Sequence, residues 1–152
     1  MPTKSFRGLI KDGTQDTISL HTNNGSIGYR IKKMQIIGQD PGNTNVEATI
    51  KVYTVSQTAI DGNIDFSDNT LLASGHHAKS TSVSGAITDI VVFDNMTFNQ
   101  DIYVTCDTGS TAGVSCNYYI ELEQFRLDLN ENTVATLKDI RNIKSQWVNN
   151  IT

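Results

Sequence analysis

The side chains able to do chemistry are few and scattered. Three histidines occur, His21, His76 and His77. The last two are adjacent in "ASGHHAKS", and neighbouring side chains on a strand point to opposite faces. A metal site on either would need ligands converging from elsewhere in the chain. "DGNIDFSD" sets Asp61, Asn63 and Asp65 at alternate positions, as a calcium loop does, but Phe66 stands where that loop needs glycine and Leu72 where it needs a bidentate glutamate. A polar loop with Asx turns is the simpler reading. Glu121 and Glu123 share one strand face. Paired carboxylates can serve acid–base chemistry, but on the outward face of a strand they act as solubilising charges. The chain has no glycine-rich phosphate loop, nucleophile elbow or Cys-x-x-Cys pair. The sequons at Asn24, Asn95 and Asn150 matter only in a secreted chain. No catalytic residue, metal set or cofactor is therefore expected, and the chain reads as a non-enzyme.

Cys106 and Cys116 are the two cysteines. Ile102, Val104 and Cys106 alternate with polar or amphipathic neighbours, and so do Cys116, Tyr118, Ile120 and Leu122. Both runs have the period of a half-buried strand. The link "DTGSTAGVS" then predicts a hairpin in which Cys106 faces Cys116 and Val104 faces Tyr118. Two buried, reduced thiols acting as small apolar groups are expected. A disulfide is the lesser alternative in a reducing compartment.

The elements that would hold these residues are strands. "SFRGLIKDG" and "DTISLHT" are short ones. In "YRIKKMQII", Tyr29 and Ile31 share one parity and Met34 and Ile36 the other, which predicts a bulge near Lys32-Lys33. "VEATIKVYT" alternates cleanly, with Val46, Ala48, Ile50 and Val52 inward and Glu47, Thr49, Lys51 and Tyr53 outward. A long irregular stretch from Val55 follows, with Leu71 and Leu72 anchoring a short strand. Strands around Ile87–Phe93, from Asp101, and through "NYYIELEQFRLDL" complete roughly eight. This pattern predicts a mainly β protein, an antiparallel jelly-roll-like β-sandwich over residues 1–129. Residues 130–152 are expected to form a separate C-terminal helix and tail.

That helix begins after Asn130 or Asn132, either of which can cap it. Val134, Leu137, Ile140, Ile143 and Trp147 recur every three or four residues and fall on one half of the helix. Arg141 and Lys144 interrupt this half, while Lys138 and Asp139 lie on the other. A lone tryptophan is seldom left bare. The stripe is therefore expected to bind a partner surface or to cap its own sandwich.

Composition narrows the function classes. The 152 residues suit one compact unit. The formal net charge is −4, with the cations scattered, which argues against a phosphate-binding footprint and hence against nucleic acid. No run of about 20 apolar residues is present to cross a membrane. "MPTKSFRGLIKDG" has no apolar core of a leader peptide, so synthesis and folding in a cytoplasm are expected. Charged residues are only 18%, so part of the surface is expected to face protein neighbours.

"FDNMTFNQDIYV", followed by "NYYIELEQFRLDLNENTVATLKDIRNIKSQ", resembles small virion proteins of marine tailed bacteriophages, of cyanophage and pelagiphage type. The most specific part runs from Asn117 to Asn142. The resemblance implies a capsid-associated accessory or decoration protein, present in many copies or as a homo-oligomer. Its partners would be the major capsid protein or other virion proteins, and its place the virion, assembled in the host cytoplasm. An adhesin-type sandwich on the virion or tail, binding carbohydrate through loop aromatics such as Tyr53 or Phe66, is the alternative.

Overall fold

The computed structural model describes residues 2–22, 25–40, 46–80, 86–109 and 113–127. Within them the chain forms eight strands and no helix: β1 (Thr3–Lys11), β2 (Gln15–Ile18), β3 (Ile27–Gly38), β4 (Val46–Tyr53), β5 (Leu71–Ser80), β6 (Ala86–Phe93), β7 (Ile102–Asp107) and β8 (Ser115–Arg126). The segment expected to be helical, with Val134, Leu137, Ile140, Ile143 and Trp147, lies outside the described residues.

The strands make two antiparallel sheets, β1-β8-β3 and β2-β7-β4-β5-β6. The first strand pairs with the last, the second with the seventh and the fourth with the fifth. This is the nested pairing of a jelly roll, in which one long antiparallel ribbon is rolled on itself. One strand departs from the pattern. β6 pairs with β5 instead of β3, so one sheet has three strands and the other five. The expected jelly-roll-like sandwich is thus the observed fold.

The core lies between the sheets and follows the alternation in sequence. Ala48, Ile50 and Val52 of β4 are fully buried against Ile120 and Leu122 of β8 and Ile102 and Val104 of β7, within one cluster. In β3, Tyr29 and Ile31 point inward before the expected bulge and Met34 and Ile36 after it. The register confirms the bulge, since Ile31 pairs with Leu122 and Lys33 with Glu121, leaving Lys32 as the extra residue. One inserted residue restores the apolar set to the core face, as a period of two requires.

Three expectations are corrected. β7 and β8 do not form a hairpin ladder, because they belong to different sheets. Cys106 pairs with Ile50 of β4, and Cys116 with Ile10 of β1 and Gly38 of β3. Both thiols are free and fully buried, facing the core from opposite sheets. Leu71 and Leu72 open a ten-residue strand rather than a short one. Finally, of the outward residues of β4 only Glu47 is exposed: Thr49, Lys51 and Tyr53 are buried like the inward ones, because the stretch after β4 folds back over them.

Candidate interaction surface

That stretch, residues 54–70, lies on the outer face of the five-stranded sheet and is pinned there by a buried lysine. Lys51 has 4% of its side chain exposed. Its Nζ donates to Asp61 Oδ1 at 3.0 Å and to the Asn63 carbonyl at 2.7 Å, and sits 5.5 Å from the centre of the Tyr53 ring. Burial pushes the ammonium pKa down, but the Tyr53 and Asp61 side chains outweigh it and hold it above the usual lysine value. The Lys51 side chain and the Asn63 amide hold the Asp61 carboxyl below the usual range. Asx turns stiffen the rest: Asp65 accepts from Ser67, and Asp68 from Thr70. The residues that imitate a calcium loop thus serve lysine capture and turn formation. Among the described residues no group of three or more His, Cys, Asp or Glu side chains could hold a metal ion.

Pinned this way, residues 54–70 cover only part of the face and add apolar groups to it. Ile64 and Phe66 come down beside β5 and β6, where Ser74 pairs with Val92 and His76 with Ile90. Ile64, Phe66, Ser74, Gly75, His76, Ile90 and Val92 line a shallow hollow of about 370 Å³. A second hollow adjoins it at Phe66 and Val92 and extends over Leu71, Leu72 and Phe93, with Asp68 and Asp94 at its border. The apolar side chains here are strongly exposed: Phe66 71%, Ile90 57% and Val92 49%. A single exposed apolar residue is ordinary, but a contiguous strip is not. Among the described residues β6 is moreover an edge strand of its sheet, an element that natural sheets usually blunt or cover.

The other candidate residues have structural duties. His21 Nδ1 lies 2.7 Å from Asp101 Oδ1, which also accepts from the Leu20 and His21 amides. Partial burial raises the Asp101 carboxyl, yet these bonds hold it below the usual range. His76 touches Thr49 Oγ1 at 3.1 Å on the outer face. His77 points the opposite way into the core, bonds Asp89 through Nδ1, and leaves Nε2 buried without a partner beside Gly38. The two adjacent histidines thus face opposite sides, as expected of a strand. Burial pushes the Cys106 thiol up to about 12, with Cys116 adding to it, and burial pushes Cys116 up to about 11. Neither is a nucleophile at neutral pH. Glu123 pairs with Arg30 at 2.9 Å and Glu121 lies 4.0 Å from Lys33, both as surface ion pairs. Tyr53 is 7% exposed and offers no platform for a sugar ring. Phe66 was legible in sequence as an exposed aromatic. Ile90 and Val92 were not, because "AITDIVVFD" carries apolar residues of both parities.

No family model matches the chain, and no curated protein matches it. Solved structures that align with most of it include the following two. One is from Bacillus endospore appendages, described as a family of disulfide-linked pili: 13% identity, TM-score 0.34, covering 83% of this chain and 89% of that one. The other is Cocksfoot mottle virus: 7% identity, TM-score 0.35, covering 86% of this chain and 100% of that one. At these scores the likeness carries no argument about function. Among the described residues no helix is long and apolar enough to cross a membrane.

Proposed function

We propose that the chain is a non-enzymatic structural subunit of a virus particle, a decoration or cementing protein that joins the capsid of a tailed bacteriophage through protein–protein contacts. The observation that carries this reading is the apolar strip of Ile64, Phe66, Ile90 and Val92 beside the edge strand β6. Its exposure is held in place by the Lys51 clamp, so the strip is a built surface and not the accident of a loose loop. The resemblance of Asn117–Asn142 to small marine phage virion proteins supplies the particle. In such a shell many weak contacts add up through multivalency.

Co-sedimentation with purified particles of the phage that encodes the chain tests this. The full chain should pellet with the particles in a saturable, reproducible ratio, and Phe66→Asp/Ile90→Asp should stay in the supernatant with an unchanged far-ultraviolet spectrum. Failure of the wild type to pellet, or pelleting that ignores the double substitution, would overturn the proposal. Release of the wild type by soluble sugars would instead favour carbohydrate binding on Phe66.

A further inference from the structure

Nothing among the described residues covers the strip, and the chain itself contains a matching segment. We infer that the strip receives the C-terminal segment, residues 128–152, of a second copy of this chain, so that copies link head to tail. This rests on the assembly role proposed above and names the partner of that same surface.

Three observations carry it. The first is area. Ile64, Phe66, Ile90, Val92 and Phe93 are between 40% and 71% exposed, which leaves on the order of 500 Å² of apolar surface uncovered. The segment offers five large apolar side chains at helical spacing, Val134, Leu137, Ile140, Ile143 and Trp147. A helix laid in an apolar groove reads out in this pattern. The two faces together approach about 1,000 Å², the lower bound for a specific contact.

The second is charge. The strip is bordered by aspartates: Asp65 next to Phe66, and Asp68 and Asp94 at the edge of the hollow. The apolar half of the segment is interrupted by two cations, Arg141 and Lys144. Cations set among the anchors would fall on an acidic rim, which aligns the two surfaces and sets their register.

The third is reach. The described chain ends at Leu127, whose amide donates to the Ser26 carbonyl at 2.8 Å, beside the start of β3. The strip lies at the level of the other end of β3: Gly75 sits against Ile36, and Gly38 against His77. From Ile27 to Ile36 is about 30 Å of strand, and the strip is on the far face of the opposite sheet. Residues 128–133 can span only about 20 Å even when fully extended. Val134 therefore falls short of the Ile36 level of its own strip, and a segment from another copy, free of that tether, can lay the whole stripe there. Such a contact joins unlike surfaces, a heterologous interface that propagates into a ring or a lattice.

Complementation between two full-length variants tests this. The groove variant is Phe66→Asp/Ile90→Asp, and the arm variant is Leu137→Asp/Trp147→Asp. The wild type should associate with concentration in sedimentation velocity, and each variant alone should stay monomeric, weakened at least about thirtyfold. Mixed one to one, the variants should form a dimer, because one intact arm then meets one intact groove. The arm variant contains no tryptophan, since Trp147 is the chain's only one. A blue shift of tryptophan emission on mixing therefore reports docking of the groove variant's Trp147 on the other chain. No dimer and no shift on mixing would overturn the inference. So would a monomeric wild type whose Trp147 emission moves to the red on Phe66→Asp/Ile90→Asp, which is docking within one chain, or an arm variant that associates as the wild type does. Val92→Cys on one chain and Ile140→Cys on another provide a second measurement. An intermolecular disulfide is expected, and its absence counts against the arrangement. Loss of complementation with particle binding still sensitive to Phe66→Asp/Ile90→Asp would sink the inference alone. Complementation without particle binding would sink the proposed function alone.

Discussion

Removing either partner of the Lys51–Asp61 pair should have unequal effects, with the larger penalty falling on loss of the exposed partner. Lys51 has 4% of its side chain exposed and Asp61 57%. Lys51→Met deletes the ammonium's two charge-assisted hydrogen bonds. It also removes a buried ammonium whose dehydration costs several kcal/mol, and Met fills the channel of the lysine stem. Asp61, now without its cation, is solvated by water. The net cost should be about 1 kcal/mol. Asp61→Ala leaves the ammonium buried with only the Asn63 carbonyl and the Tyr53 ring as neighbours. An uncompensated buried charge typically costs about 3–5 kcal/mol. With the carbonyl and the ring retained, about 2–3 kcal/mol is expected here, or roughly 5–10 °C in melting temperature for a domain of this size. Urea titration of both variants gives the comparison. A Lys51→Met protein destabilised as much as or more than Asp61→Ala would refute the reasoning. The pH dependence has a definite sign. The pKa of Lys51 is raised in the fold, so its contribution is complete below the unfolded value of 10.5 and is lost as pH rises through the folded value. Both variants should flatten the alkaline limb of the stability curve.

At the acid end, the Thr108 and Gly113 amides hold the Asp12 carboxyl low against partial burial, and Asp61 and Asp101 are also depressed. Their contribution is complete above the unfolded value of 3.8 and lost as pH falls through the folded values, so Asp12→Asn should reduce the slope of acid unfolding seen by circular dichroism. Gly38→Ala places a methyl 2.9 Å from the buried His77 Nε2 and should cost about 1–3 kcal/mol. Adding His77→Ala should cost less than the two single effects combined, and strict additivity in denaturant melts would count against the contact. Neither Cys106 nor Cys116 should react with a thiol reagent at pH 8 in the native protein, while both should react in urea; fast native labelling would contradict their burial. Deleting Lys32 removes the bulge of β3 and forces one half of that strand's apolar residues outward, so a cooperative melt near the wild-type midpoint would contradict the register.

Where one strand face was buried and regular, the sequence was a sufficient guide. The alternation of Val46, Ala48, Ile50 and Val52 placed β4, and the change of parity after Ile31 located the bulge to the Lys32-Lys33 pair. Parity alone could not tell which strands pair. Cys106 and Cys116 have the same inward parity whether they sit on one ladder or look at each other across the core, and the linker was long enough to cross between sheets. β5 was underread because Ser74, Gly75, His76 and His77 carry no apolar alternation, although Gly75 is required by the approach of Ile36. Burial of Lys51 was illegible for a different reason. It depends on residues 54–70 returning over the sheet, a tertiary event that leaves no period in the sequence. The apolar strip has the same origin, since it consists of what that return leaves uncovered.

The nested pairing also sets a timetable for biosynthesis. Thr3 pairs with Glu123 and Lys11 with Ser115, so the earliest of the eight strands to leave the ribosome must wait for the latest of them. At roughly 5–20 residues per second of translation, β1 spends on the order of ten seconds without its neighbour. β2 waits for β7 in the same way, whereas β4 and β5 can zip together as soon as both emerge. A roll of this kind closes from the middle outward, and its loop-closure cost falls late. During that interval the outermost strands offer open edges to other nascent chains. The yield of folded protein would then be limited by the rate at which β8 arrives and closes the three-stranded sheet, more than by the stability of the finished sandwich.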